Sequence, residues 1–200
     1  YPRLFAWFKM KLDPMFHDLA SFVKSPETII DIGSGFGIPI VWLLELFPHA
    51  RVYGIEPDIA RVRVASRAIG DRGSIVQGSA PDVPNVPVLA DVAVMLDMIH
   101  YLTDDELKLT LHKLRELLRP EGRLIIRVTI PLKEPAPWHR QIEKIRLKIK
   151  GIKSYYRDSD EIEKLVSQAG FKISKIQPSG QNREETWFMA GLIMDWREKV

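Results

Sequence analysis

Three glycines at alternate positions, Gly33, Gly35 and Gly37, follow the apolar run Thr28-Ile-Ile-Asp-Ile32 and precede a second apolar stretch that begins at Ile38. Glycines spaced this way let the chain turn tightly and let a ligand approach the backbone with no side chain between them. A helix starting after them would present free N–H groups and a positive dipole end. Asp31 sits at the end of the preceding run, and Glu56 ends the next one, 19 residues after Gly37. An acid at that offset is placed to accept hydrogen bonds from two ribose hydroxyls. The chemistry is the binding of a nucleoside. A dinucleotide would call for G-x-G-x-x-G, and the third glycine of that pattern is replaced here by Ile38. A carboxylate at Asp31 would also repel a diphosphate, whereas it suits an ammonium group. The residues therefore favour a nucleoside that carries an amino acid.

These residues need a sheet to hold them. Strands are expected at 28–32, 51–55, 74–77, 91–96, 123–130, 171–176 and about 185–192. Helices alternate with them over about 37–47, from Asp58 to about 68, from Thr103 to about 119, and from Asp158 or Ser159 to Gly170. Thr103 with Glu106 three residues on is a capping box. Alternation of this kind predicts an α/β fold: a doubly wound, Rossmann-like, seven-stranded and mostly parallel sheet with helices on both faces. The last two strands have no helix between them, so an antiparallel C-terminal hairpin is expected at the edge. The whole of 1–200 reads as one domain.

On these motifs the chain resembles the class I S-adenosylmethionine-dependent methyltransferases. The resemblance covers residues 28–130 in five ordered stretches: D-I-G-S-G-F-G at 31–37, V-Y-G-I-E-P-D at 52–58, Q-G-S-A-P-D-V-P at 77–84, D-V-A-V-M-L-D-M-I-H-Y-L at 91–102 and L-L-R-P-E-G-R-L-I-I-R-V at 117–128. It implies S-adenosylmethionine as cofactor, with Asp31, Gly33, Ser34, Gly35 and Gly37 beside its methionine part. It further implies that Glu56 holds the ribose, that Pro57 flanks the adenine, and that Gly78, Ser79 and Ala80 form the adenine rim. Leu96, Asp97 and His100 would stand by the methionine end and the reacting methyl. Two positions depart from the usual pattern: Ser79 replaces an acid, and Asp97 replaces an uncharged side chain.

Methyl transfer needs a general base only for a poor nucleophile. His100 is the best-placed candidate base and Tyr101 the second; His17 and His139 lie in segments that could reach the pocket. Asp97 could orient the cofactor's amino end, accept a substrate proton or serve structure alone. The fourth stretch, ending M-I-H-Y-L, resembles the small-molecule branch of the family, which includes quinone and lipid methyltransferases. That implies a small-molecule or lipid-like acceptor and no nucleic acid. A nucleotide-binding oxidoreductase and a non-catalytic cofactor-binding module are the alternatives.

Composition narrows the rest. There is no cysteine, which excludes thiol catalysis and Cys-ligated metal sites, and no metal is expected. No apolar run approaches the ~20 residues of a membrane span. Tyr1 rather than a methionine opens the chain, so a domain within a longer protein is expected. The net charge of +3 is unevenly spread: residues 133–157 hold eight Lys/Arg against two Glu, and the remainder holds 21 basic against 24 acidic residues. Within a basic helical insertion at 131–157, Trp138, Ile142, Ile145, Ile149 and Ile152 form one apolar stripe. It reads as a lid on the core, as a helix on an anionic membrane surface through 138–153, or as a recruiter of an acidic or carrier-bound substrate. Residues 1–27, rich in Phe, Trp and Met, read as an N-terminal helical lid. A cytoplasmic protein, with membrane association as an option, is the resulting expectation.

Overall fold

The computed structural model describes residues 15–130, 153–179 and 182–193, with the side chains of 182 and 183 left aside. The lid residues before Met15, the stripe from Trp138 to Ile152, and His139 lie outside the described residues. The elements run α1 (Met15–Phe22), β1 (Thr28–Ile32), α2 (Ile38–Leu46), β2 (Arg51–Glu56), α3 (Ile59–Ile69), β3 (Gly73–Gln77), β4 (Ala90–Leu96), a 3-10 turn (Ile99–Tyr101), α4 (Asp104–Leu117), β5 (Leu118–Thr129), α5 (Ser159–Gln168), β6 (Phe171–Ser179) and β7 (Asn182–Leu192). They build one seven-stranded sheet in the order β3-β2-β1-β4-β5-β7-β6. β1 to β5 are parallel, and β7 runs antiparallel to both β5 and β6.

The two-residue period of a strand divides the apolar residues between two cores. Ile29, Val92, Val94, Ile125 and Trp187 face α1, α2 and α3, where Phe16, Leu43 and Ala65 meet them. Ile30, Ala93, Met95, Leu124, Ile126 and Phe188 face the opposite way, onto Leu107, Leu111 and Leu114 of α4 and Ile162 and Val166 of α5. Asp31 and Leu96 share the parity of the first face, so both lie on the α2 side at the carboxyl ends of their strands. Helix α2 is apolar almost all round. It is covered on one side by the sheet and on another by α1, where Phe16 meets Trp42 edge to face at 5.9 Å and Trp42 Nε1 donates to the Phe16 carbonyl.

The caps explain where the helices begin. Asp58 accepts from the amides of Ala60 and Arg61. Thr103 and Glu106 form the expected capping box, and Asp158 rather than Ser159 caps α5, with Glu161 completing a second box. The last two strands run longer than the sequence reading, to Ser179 and from Asn182, and the boundary between α4 and β5 differs in kind. Pro120-Glu-Gly122 does not separate helix from strand: β5 begins at Leu118, which pairs with Ala90, and the register then shifts before Arg123 pairs with Val92. Pro120 has no N–H to give to a regular ladder, and a side chain at position 122 would meet the Arg119 carbonyl at 2.8 Å, so the stretch is absorbed as a bulge. Among the described residues, no helix is long and apolar enough to cross a membrane.

Candidate functional site

The carboxyl ends of β1 and β4 stop short of α2 and leave a cavity of about 250 Å³. Met15, Asp31, Gly33, Ser34, Gly35, Phe36, Arg61, Leu96 and Asp97 are among its walls. The glycine loop is fastened to the sheet by its own backbone. The amides of Gly33 and Ser34 both donate to the Ile55 carbonyl, at 2.9 and 3.0 Å, and the Gly37 amide closes the turn onto Ser34 O at 2.8 Å. Gly54 on β2 is needed beneath this loop, since a Cβ there would come within 2.4 Å of Ser34 Oγ.

Glu56 is buried behind the loop, 3% exposed. Its carboxylate accepts from the Gly35 amide at 2.9 Å and from the Asp58 amide at 3.1 Å, and Arg61 stands 3.7 Å away. The same acid thus shapes the loop and caps the entry to α3. A carboxylate has about four acceptor positions, so these two amides leave capacity for ligand hydroxyls. Asp31 is equally buried, and burial pushes its pKa from 3.8 up to about 7; the hydrogen bond with Ser34 pulls it down and the neighbouring charge of Glu56 adds to the rise. A buried acid of this kind is stabilised in its charged form by an incoming cation.

The three loop glycines have separate duties. Gly35 faces open space, and a Cβ at Gly33 would meet the Met98 side chain at 3.1 Å. Gly37, with φ of 75°, is turned away from the cavity: a Cβ there would lie 2.9 Å from Ala65 Cβ on α3. It serves helix packing and the start of α2.

Of the residues assigned to the adenine side, none is in the cavity wall. Pro57 and Ser79 are exposed, and Gly78 and Ala80 are half-buried past the end of β3, where the Gly78 amide donates to the Glu56 carbonyl. His100 and Tyr101, on the 3-10 turn after β4, also stand outside that wall. His100 is buried, stacked on Tyr156 at 5.4 Å and tilted against Tyr101 at 4.1 Å. Burial, aided by the charge of Arg157, lowers its pKa to about 4. Arg157, 5% exposed, ties the end of the basic insertion to this turn by donating to the carbonyls of Ile99 and Leu102 and to Asp104. His17 points to solvent, with its side chain 93% exposed, and does not reach the cavity.

The neutral state of His100 has a measurable cost in acid. The folded state keeps the ring neutral down to about pH 4, whereas the unfolded chain protonates it below about 6.5, so stability is lost as pH falls through that interval. A His100→Phe variant should lose this part of the acid sensitivity. Urea-denaturation midpoints of both proteins at pH 7 and pH 4.5 would check it, and a pH-independent difference would count against it.

Two residues at the site give little signal in the sequence, Arg61 in the cavity wall and Arg127 behind it. Arg61, with its guanidinium 5.5 Å from the Phe36 ring centre, joins α3 to the loop; its spacing from Asp58 was the available signal. Arg127, a charge inside the apolar strand Leu124-Ile-Ile-Arg-Val128, is fully buried and donates to Asp97 at 2.6 Å.

The methyltransferase domain family matches residues 29–122, the stretch that carries this loop, Glu56 and β4. The match covers just under half of the chain, and it supports a class I S-adenosylmethionine-dependent methyltransferase. It is 28% identical to an uncharacterised methyltransferase of Geobacillus kaustophilus over 162 residues, 77% of this chain and 73% of that one. It is 27% identical to the phenazine O-methyltransferase of Lysobacter antibioticus over 76% of this chain and 45% of that protein. The fold matches human N-acetylserotonin methyltransferase in complex with S-adenosylmethionine with a TM-score of 0.68 at 16% identity, over 89% of this chain and 51% of that one. The chain therefore spans about half the length of these two named enzymes. The methyltransferase cofactor, S-adenosylmethionine, fits the donor set: an amino-acid end with an ammonium beside Asp31 and Asp97, and a ribose for Glu56 behind the loop.

Proposed function

We propose that this methyltransferase transfers a methyl group from S-adenosylmethionine to a small-molecule or lipid-like acceptor. The observation that carries the reading is the cavity at the carboxyl ends of β1 and β4, where two carboxylates, Asp31 and Asp97, flank a glycine loop braced by the buried Glu56. Asp31, Ser34, Gly33 and Gly35 would hold the methionine part and Glu56 the ribose. When bound, the cofactor supplies an electrophilic methyl carbon on positively charged sulfur. This chain's own residues then position and desolvate. Asp31 and Asp97 favour a cation at their end of the cavity and disfavour a diphosphate there, which speaks against a dinucleotide. His100 and Tyr101, both outside the cavity wall, are the candidate bases for an acceptor proton, and the lowered pKa of about 4 makes His100 a weak one. The phenazine and N-acetylserotonin enzymes support a small-molecule acceptor by likeness.

Calorimetric titration with S-adenosylhomocysteine and with NADH separates the readings. We expect micromolar-range binding of the first and none of the second; NADH binding without S-adenosylhomocysteine binding would overturn the proposal. Transfer of labelled methyl from S-adenosylmethionine to the small-molecule and lipid fractions of a cell extract then tests the acceptor class, and label found only in macromolecules would sink it. Membrane contact through 138–153 rests on the charge and spacing of that stretch alone, and a cytoplasmic location is a separate expectation from composition. Sedimentation with anionic and neutral vesicles tests the contact, and equal negligible binding to both would remove it.

Binding should also release protons. Asp31, with a pKa of about 7, is half protonated at pH 7, and a ligand ammonium stabilises its charged form. Titration with S-adenosylhomocysteine at pH 7 in buffers of different ionisation enthalpy should show release of up to about half a proton. In Asp31→Asn that release should vanish. Proton uptake by the wild type would contradict this account.

A further inference from the structure

Resting on that reading, we propose that Arg127 is a positioning residue for the cofactor's amino-acid end, acting through Asp97. Asp97 is the cavity residue with the most constrained backbone. Its φ is +55°, in the left-handed region that costs an L-residue energy, and its side chain lines the cavity. Arg127 holds it twice. The Arg127 carbonyl accepts from the Asp97 amide at 2.8 Å, extending the β4–β5 ladder by one residue past Leu96. The Arg127 guanidinium donates to Asp97 Oδ2 at 2.6 Å.

The guanidinium cannot itself serve a ligand. It is 1% exposed, and among the described residues it donates to Asp97 and Met15 Sδ from one terminal nitrogen, to Glu185 from the other, and to Ser179 Oγ from Nε. Trp187 packs beside it, with the ring centre 5.7 Å away. Both carboxylates, by contrast, are partly open, with side chains 34% and 30% exposed. Arg127 thus stands between two partly open acids. Of the two acids, Asp97 is in the wall of the cavity and Glu185 is not. A buried guanidinium orients a carboxylate through fixed, planar donors, which an isolated carboxylate at the end of a strand would lack. Asp97 is thereby held as a second ammonium acceptor beside Asp31, and Arg127 decides where its charge stands.

The proposal separates from a plain structural role by which part of the ligand it affects. Calorimetry would compare S-adenosylhomocysteine with its deaminated analogue, which keeps the nucleoside, sulfur and carboxylate but lacks the amine. Arg127→Gln should weaken S-adenosylhomocysteine by about tenfold, the scale of one charge-assisted hydrogen bond, and leave the analogue within about twofold of its wild-type affinity. Equal losses for both ligands, or no loss for S-adenosylhomocysteine, would overturn it. Should Arg127→Gln not fold, Asp97→Asn decides by the same comparison: a loss confined to the amine-bearing ligand supports the proposal, and any other pattern overturns it. Failure of the wild type to bind S-adenosylhomocysteine would be a different result, and would remove the cofactor reading itself.

Discussion

Glu56→Ala is expected to weaken S-adenosylhomocysteine binding by about 1–3 kcal/mol, the scale of lost hydrogen bonds to a charged group. Two effects combine. The ribose hydroxyls lose their acceptor, and the Gly35 and Asp58 amides lose the carboxylate that fixes the loop and the start of α3. Glu56→Gln separates them, because a single amide oxygen can still accept from one backbone N–H while the charge is gone. It should recover loop order more than affinity. Removing the Glu56 charge also removes one cause of the raised Asp31 pKa. The proton release on binding at pH 7 should therefore be smaller in Glu56→Gln than in the wild type. Titration of both variants in two buffers checks all of this, and wild-type affinity in Glu56→Ala would refute the role given to Glu56.

Gly37→Ala should cost stability, by roughly 2–5 kcal/mol. A left-handed backbone is unfavourable for an L-residue by about 1–2 kcal/mol, and forcing a methyl against packed atoms adds about 1–3 kcal/mol. At Gly37 both apply, since its φ is 75° and the new Cβ would lie 2.9 Å from Ala65 Cβ and 3.2 Å from Ala65 Cα. Gly35→Ala should cost about 1–2 kcal/mol, because only the backbone term acts and the space beside it is open. That open space is where a ligand would lie, so Gly35→Ala should lose more affinity than stability and Gly37→Ala the reverse. Denaturation midpoints and titration on the two variants check the contrast. Equal stabilities would show that the packing of α2 on α3 can yield at this point.

Much of the frame was legible because its signals are local. Periodicity separated strands from helices, and the caps at Asp58, Thr103 and Asp158 need only residues three or four apart. The boundary at β5 is not legible locally, because Pro120-Glu-Gly122 looks like a turn in isolation and the pairing of Leu118 with Ala90 makes it a bulge. At the site, Asp31, Ser34 and Gly35 are joined by sequence and come together in the cavity wall. Arg61 and Arg127 gave weaker signals. One sits in the first turn of α3, where its spacing from Asp58 gives that contact but not the one with Glu56, and the other lies inside an apolar strand, where spacing names no partner.

The sequence by itself determined the kind of ligand. Alternate glycines, a preceding Asp31 and a following Glu56 are adjacent to turns that any right-handed βαβ connection must make, so their chemistry survives without knowledge of the rest of the fold. The tertiary structure alone decided the division of labour. Gly37 belongs to helix packing because α3 crosses over it, and His100 is neutral because Tyr156 and Arg157, more than fifty residues later, close over its turn. Asp97 faces the cavity under the control of an arginine thirty residues away, with Glu185 sharing the same guanidinium from β7. Burial and charge pairing depend on which distant strands become neighbours, and spacing along the chain carries no record of that.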